Sequence, residues 1–273
     1  MQNATLQGKG KKERNIFCHT HGNDYFCDAM RLIIDQGNSA TKLYLASDND
    51  IVESIVAENE QMIEYVRERI ARENFEAAIY SSVRREYDKH LINVMSRKIA
   101  HIVCMGATTH VPIGIEYRTP NTLGYDRIAA AVGAWSMHPD TPLLVVDAGT
   151  AITYDLVSAR GKFVGGNIAA GIEMRLRALH EHTGRLPLVK SDGEVPMLGY
   201  DTETAIRSGA LQGAAYELEG YITACEAENP GLLVFLTGGD AERLAAIIKR
   251  TIFVDRNLVA KGLNRILEYN VKL

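Results

Sequence analysis

The sequence predicts a mixed α/β protein built as two similar lobes, each a mixed sheet with flanking helices and a cleft between them. Three observations predict it. Short apolar runs of buried-strand character alternate with amphipathic helical stretches. The order of three strands followed by alternating helices and strands occurs twice along the chain. Two distant strand ends also look alike. Asp35-Gln36-Gly37-Asn38-Ser39 closes the run Arg31-Leu32-Ile33-Ile34, and Asp147-Ala148-Gly149-Thr150-Ala151 closes Leu143-Leu144-Val145-Val146.

Residues 1–29 differ from the rest. Met1 to Arg14 is polar, carries Gly8-Lys9-Gly10-Lys11-Lys12, and has no helical or strand period. It lacks the apolar core of a secretory signal, so residues 1–29 are expected to be an unstructured extension ahead of Met30 as the functional start. Strands are expected at 31–35, 41–47 and 51–57, then a helix at 59–72. Glu60, Glu64, Arg67, Glu68 and Arg72 form its wet face, and Met62, Ile63, Val66 and Ile70 its dry one. Strand 77–82, helix 87–97 and strand 101–105 follow. After a loop with Pro112 and Pro120, helix 124–137 runs through small apolar residues suited to close packing.

Pro139 and Pro142 mark a lobe boundary, giving lobes 30–140 and 141–273. In the second lobe strands are expected at 143–148, 151–158 and 162–168, with a helix from about Gly171. A long helix at 203–227 follows. Its Ala205, Ile206, Ala210, Leu211, Ala214, Ala215 and Leu218 make an apolar side broad enough for core or partner. Strand 232–237, helix 240–249, strand 251–254 and helix 256–268 complete the chain.

The bulk numbers exclude several classes. The 273 residues are 46% hydrophobic and 23% charged, an ordinary globular composition. A formal net charge of −4 offers no bulk attraction to nucleic acid or anionic membrane, and no apolar run reaches membrane-span length. Cys18, Cys27, Cys104 and Cys225 form no C-x-x-C pair and read as free thiols of a cytoplasmic protein.

The chemistry sits at the repeated strand ends. A carboxylate there can hold a cation, a glycine lets backbone approach an anion, and hydroxyl and free N–H groups can bind phosphate oxygens. Asp35, Asn38, Ser39 and Lys42 would surround one tight turn with a carboxylate, an amide, a hydroxyl and an ammonium, a set suited to phosphate with Mg²⁺. Gly-Asn also makes ordinary turns, so the repeat at Asp147 is what raises the functional reading. Asp147 ends an apolar strand and would be costly to bury without a cation. Two such hairpins face to face suit a nucleoside triphosphate. Thr237-Gly238-Gly239-Asp240, at a strand-to-helix junction, allows a ring or phosphate to meet backbone, although Asp240 also suits a plain N-cap. Gly124-Tyr125-Asp126-Arg127 opens a helix. It reads either as a carboxylate eased by the helix dipole or as a base beside an anion clamp.

These four segments and Gly165-Gly166-Asn167-Ile168 occur together and in order. From Met30 to about Leu267 the chain closely resembles the type III pantothenate kinases of bacteria, of the superfamily of acetate and sugar kinases, heat-shock chaperones and actin, with ribonuclease H-like lobes. Ser39 stands where that family usually has threonine, which keeps the hydroxyl.

The resemblance implies ATP-dependent phosphorylation of pantothenate to 4'-phosphopantothenate, the first step of coenzyme A biosynthesis. It assigns the ATP phosphates to Asp35, Gln36, Gly37, Asn38, Ser39, Ala40, Thr41 and Lys42, and a further ATP contact to Thr150. Asp147 would hold K⁺ or NH₄⁺, and Mg²⁺ would come with ATP. Pantothenate would meet Tyr117, Gly124, Tyr125, Asp126 and Arg127, with Asp126 as proton acceptor and Arg127 as carboxylate clamp. Thr202, or its neighbour Thr204, would add a substrate contact. The resemblance also implies a homodimer with neither nucleic acid nor membrane as partner. The competing readings are a related kinase with another alcohol acceptor, or a non-catalytic transcriptional accessory factor on the same fold. The factor would not need Asp126, and no strongly basic helix supports direct DNA binding.

Overall fold

The computed structural model describes residues 30–37, 40–84 and 88–272. The expected extension 1–29 lies outside the described residues, as do Asn38 and Ser39.

The first sheet contains β1 (Met30–Gln36), β2 (Ala40–Ser47), β3 (Asp50–Glu58), β4 (Phe75–Ser82) and β5 (His101–Cys104), in the order β3-β2-β1-β4-β5. The first three strands are antiparallel neighbours, while β4 and β5 run parallel to β1. The second sheet contains β7 (Leu143–Ala148), β8 (Ala151–Ser158), β9 (Lys162–Ala170), β10 (Leu233–Thr237) and β11 (Phe253–Val254). Its order, β11-β10-β7-β8-β9, and its strand directions repeat the first sheet. One extra strand, β6 (Gly114–Ile115), adds to the far edge of β9. The sequence analysis missed β6 because two residues, one of them glycine, carry no period.

The layers follow from where each element hides its apolar face. On the outside of the first sheet lie α1 (Met62–Arg72) and α2 (Lys89–Met95). Met62, Val66 and Ile70 of α1 and Leu91, Val94 and Met95 of α2 join Leu32, Ile34 and Leu43 in one buried cluster. Outside the second sheet lie α4 (Ile172–Glu181), α5 (Thr202–Glu228) and α6 (Ala241–Ala245). Between the sheets lie α3 (Tyr125–Met137) and α7 (Leu258–Val271), in a cluster with Ile33 and Ile79 of one sheet and Val145 and Phe235 of the other.

Helices α3 and α7 cross at glycines. A Cβ on Gly262 would lie 1.7 Å from the Ala129 carbonyl oxygen, and one on Gly133 2.4 Å from that of Leu258. Only hydrogen at both positions lets the backbones come this close. Two segments cross residue 140 in space: β6 joins the second sheet, and α7 packs back against α3, β1 and β4.

One open expectation is decided and one needs correction. Ile206, Ala210, Leu211, Ala214, Ala215 and Leu218 of α5 are buried in the second lobe's own core, while Ala205 is exposed. The apolar side of this helix is therefore core, and its other face is open. The helix expected at 240–249 stops at Ala245, after which the Ile247 N–H bonds only three residues back, to the Leu244 carbonyl, in a tighter turn. Trp135 of α3 lies against the β8–β9 turn. There Gly161 has φ +68°, and a Cβ would lie 2.8 Å from the indole ring.

Candidate active site

The two similar strand ends face each other across the cleft. In the first turn the Gly37 N–H donates to the Ala40 carbonyl at 3.0 Å, and in the second the Gly149 N–H donates to that of Ala151 at 2.9 Å. Antiparallel register sets Asp35 opposite Lys42 and Asp147 opposite Thr153.

Strand alternation then sorts the first hairpin. Asp35 and Lys42 look into the cleft, where Lys42 acts on both Asp35 and Asp147. Gln36 points the other way. It is buried and accepts hydrogen bonds from the Tyr80 and Ser82 hydroxyls. Thr41 is also buried, and its hydroxyl donates to Asn59. Of the predicted segment, the carboxylate of Asp35, the ammonium of Lys42 and the backbone of Gly37 and Ala40 remain for phosphate.

Burial pushes the carboxyl groups of Asp35 and Asp147 up to about 6. Lys42 pulls both down, while the charge of Asp126 raises both. Burial, with these two acids nearby, also raises the Tyr44 phenol. Among the described residues no three His, Cys, Asp or Glu side chains converge to hold a metal. A cation at Asp147 would therefore complete its shell from backbone, water or phosphate oxygens. Two carboxylates lifted chiefly by burial, with one lysine beside them, fit such a group, since a cation favours their charged form.

Helix α3 supplies the third acid. Gly124 is its N-cap, and Asp126 lies in the first turn. Oδ1 of Asp126 accepts from the Arg127 N–H at 2.8 Å. A Cβ on Gly124 would lie 2.3 Å from that oxygen, so glycine is what lets the carboxylate fold over the helix start. The chain between β5 and α3 brings Tyr117 alongside, edge-on to Phe163 at 5.9 Å. Arg127 lies 5.7 Å from the Tyr117 ring centre and 5.6 Å from that of Phe163.

Arg127 has a partner that the sequence analysis missed. Its Nε donates to Asp155 Oδ1 at 3.0 Å and Oδ2 at 3.2 Å, and its Nη2 donates to Oδ1. Both residues are buried. An acid at an inward register of β8, within Ile152 to Val157, was the available signal.

Beside the second hairpin lies a cavity of about 760 Å³ lined by Gly149, Thr150, Gly239, Asp240 and one face of α4 with Glu173, Met174 and Arg177. Thr150 and Gly239 thus line one cavity. Gly238 has φ +97°, and a Cβ there would lie 2.3 Å from the Ala148 carbonyl oxygen, so the β10–α6 turn can rest directly on the second hairpin. The α4 face was missed because its residues follow no motif.

Thr202 and Thr204 separate cleanly. Thr204 is buried, and its hydroxyl serves the capping box with Asp201 that starts α5. Thr202 is exposed, and no hydrogen bond among the described residues joins it to Asp126, Arg127 or Tyr117.

A family model described as type III pantothenate kinase matches residues 31–224. The chain belongs to the type III pantothenate kinase family. The type III pantothenate kinase of Bacteroides fragilis is 44% identical over 88% of this chain and 98% of its own length. That of Porphyromonas gingivalis is 46% identical over 89% of this chain and all of its own. A solved structure described as a Baf family transcriptional activator, from Campylobacter jejuni, has a TM-score of 0.61 at 22% identity. It covers 89% of this chain and all of its own, and the likeness is one of fold alone. The kinase therefore has the two-lobed architecture of its relatives, with the sheets as lobes.

Proposed function

We propose that Asp126 accepts the proton of the pantothenate hydroxyl while the two hairpins hold the phosphates of ATP. The kinase phosphorylates pantothenate to 4'-phosphopantothenate at the start of coenzyme A biosynthesis, using ATP with a divalent metal. The observation that carries the role of Asp126 is its position. It opens α3, is tied through one oxygen to the Arg127 N–H, and acts electrostatically on both hairpin acids. Phosphoryl transfer to an alcohol depends on positioning and charge neutralisation, so a carboxylate between the phosphate cradle and the substrate clamp suffices as base.

Asp147 holds a monovalent cation, K⁺ or NH₄⁺, which adds positive charge beside the nucleotide. Asp35, Lys42 and the hairpin backbone hold the phosphates together with Asn38 and Ser39, and Thr150 holds ATP from the second hairpin. Tyr117, Tyr125, Arg127 and Gly124 line the pantothenate side. The lobes divide near residue 140. The enzyme is cytoplasmic. Among the described residues no helix is long and apolar enough to cross a membrane.

The kinase works as a homodimer in which Thr202 reaches the substrate of the neighbouring copy. The open face of α5 supports this. Gly209 and Gly220 are exposed there with nothing within 4 Å of a built Cβ. Each helical glycine costs about 1 kcal/mol relative to alanine, a cost that packing within the chain does not offset.

The test is a phosphorylation assay with ATP, Mg²⁺ and pantothenate in K⁺, NH₄⁺ and Na⁺ buffers. Turnover is expected in the first two and not the third. Equal rates in all three would remove the monovalent site, and no product in any buffer would remove the activity.

A further inference from the structure

We infer that Asp155 is a positioning residue that fixes the Arg127 guanidinium side-on, so that the far end of its fork meets the carboxylate of pantothenate. The inference rests on the reading of Arg127 as the carboxylate clamp.

A guanidinium has five N–H donors in one plane. Asp155 takes the Nε edge, with Nε 3.0 and 3.2 Å from its two oxygens and Nη2 donating to the first. Apart from a contact with the Tyr117 hydroxyl, the outward hydrogens of Nη1 and Nη2 remain. Together they form the parallel pair of donors that a carboxylate accepts bidentately. Asp155 is the ion-pair partner of Arg127, and no second carboxylate among the described residues pairs with it.

Three further observations hold this geometry. The Tyr117 and Phe163 rings, centred 5.7 and 5.6 Å from Arg127 Cζ, oppose rotation of the plane. Asp155 and Arg127 are only 1% and 6% exposed, so water does not compete for their bonds. A Cβ on Gly166 of β9 would lie 2.2 Å from Asp155 Oδ1 and 2.7 Å from Arg127 Nη2, so the strand leaves room for the pair only as glycine. A buried arginine without a partner would be costly in the empty site. With Asp155 it can wait already oriented, and substrate binding orders no long side chain.

The experiment compares pantothenate with pantothenyl alcohol, in which a hydroxymethyl group replaces the carboxylate. Asp155→Asn keeps the shape and removes the charge. Its KM for pantothenate should rise roughly tenfold or more while kcat stays within about threefold. For the alcohol, kcat/KM should stay within about threefold of wild type. An unpaired buried guanidinium can unfold a chain, so Gly166→Ala runs in parallel. It keeps both charges and pushes the pair apart, though its methyl also meets the Tyr154 carbonyl oxygen at 2.3 Å, and where folded it should give the same split. Asp155→Glu, one methylene longer, should fall between wild type and Asp155→Asn. Equal losses for acid and alcohol, or an unchanged KM in a folded variant, would overturn the inference. Collapse of all three variants would make the pair a folding element and overturn it too. A wild type that takes acid and alcohol equally well removes the Arg127 clamp and this inference with it. A wild type inactive on pantothenate sinks the parent reading instead.

Discussion

One oxygen of Asp126 accepts from the Arg127 N–H, and in the proposed reaction the other takes the substrate proton. Asp126→Asn keeps that hydrogen bond through its amide oxygen. It should fold normally and lose roughly a hundredfold or more in kcat, the scale of a lost general base. Near-normal turnover with an unchanged melting curve would remove Asp126 from that role. The hairpin acids make a prediction of opposite kind. Burial lifts Asp35 and Asp147 to about 6, above the value of an unfolded aspartate. Between about pH 4 and 6 the cation-free folded protein therefore binds more protons than the unfolded chain. Its stability falls as pH rises through that window, and the loss is complete above it. Cation-free Asp147→Asn should melt several degrees above cation-free wild type at pH 8, with the gap closing near pH 4. Equal melting temperatures at pH 8 would show that these carboxylates carry no folding cost. Individual acids were legible in the sequence where they ended apolar strands, as Asp35 and Asp147 do. Asp155 was not, because its partner is 28 residues away and only the folded sheet brings them together.

Among the elements, α3 and α7 meet backbone to backbone, which makes their glycines the least replaceable small residues of the core. Gly262→Ala would set a methyl 1.7 Å from the Ala129 carbonyl oxygen, so the helices must part. The expected cost is about 2–4 kcal/mol, read from chemical denaturation, with activity falling as the start of α3 shifts. A loss below about 0.5 kcal/mol would show that the crossing relaxes freely. The faces of α5 were legible only in part. Its small and apolar residues predicted a packed helix, but composition cannot say which neighbour packs. Ala210 and Ala214 turned out to be buried in the same cluster as residues of β7 and β10, while the glycines face outward. Ala214→Glu should therefore unfold the lobe. Gly209→Arg, on the open face, should leave the fold intact and yield a monomer by sedimentation, with weakened pantothenate binding. A dimeric Gly209→Arg protein would move the interface elsewhere.

At the scale of the whole molecule, the repeated order of strands was readable because each buried strand ends in a turn residue, and both sheets keep the same order and directions. The five-layer stacking was not. Nothing in residues 258–271 announces that the helix returns to pack between the sheets, since its apolar stripe would suit either lobe. Asp126 and Arg127, the proposed proton acceptor and clamp, both stand at the start of α3, which those layers grip from two sides. Further along the same helix, Trp135 is the only tryptophan of the chain. Its indole lies against the backbone of Gly161 in the β8–β9 turn, and its buried N–H has no hydrogen-bond partner among the described residues. The kinase thus carries one indole fluorophore, fixed to the helix that opens with Asp126 and pressed on the β8–β9 turn of the second sheet. Any slide of that helix against the turn during a catalytic cycle will register as a change in emission, so the motion can be timed by stopped flow without attaching a dye.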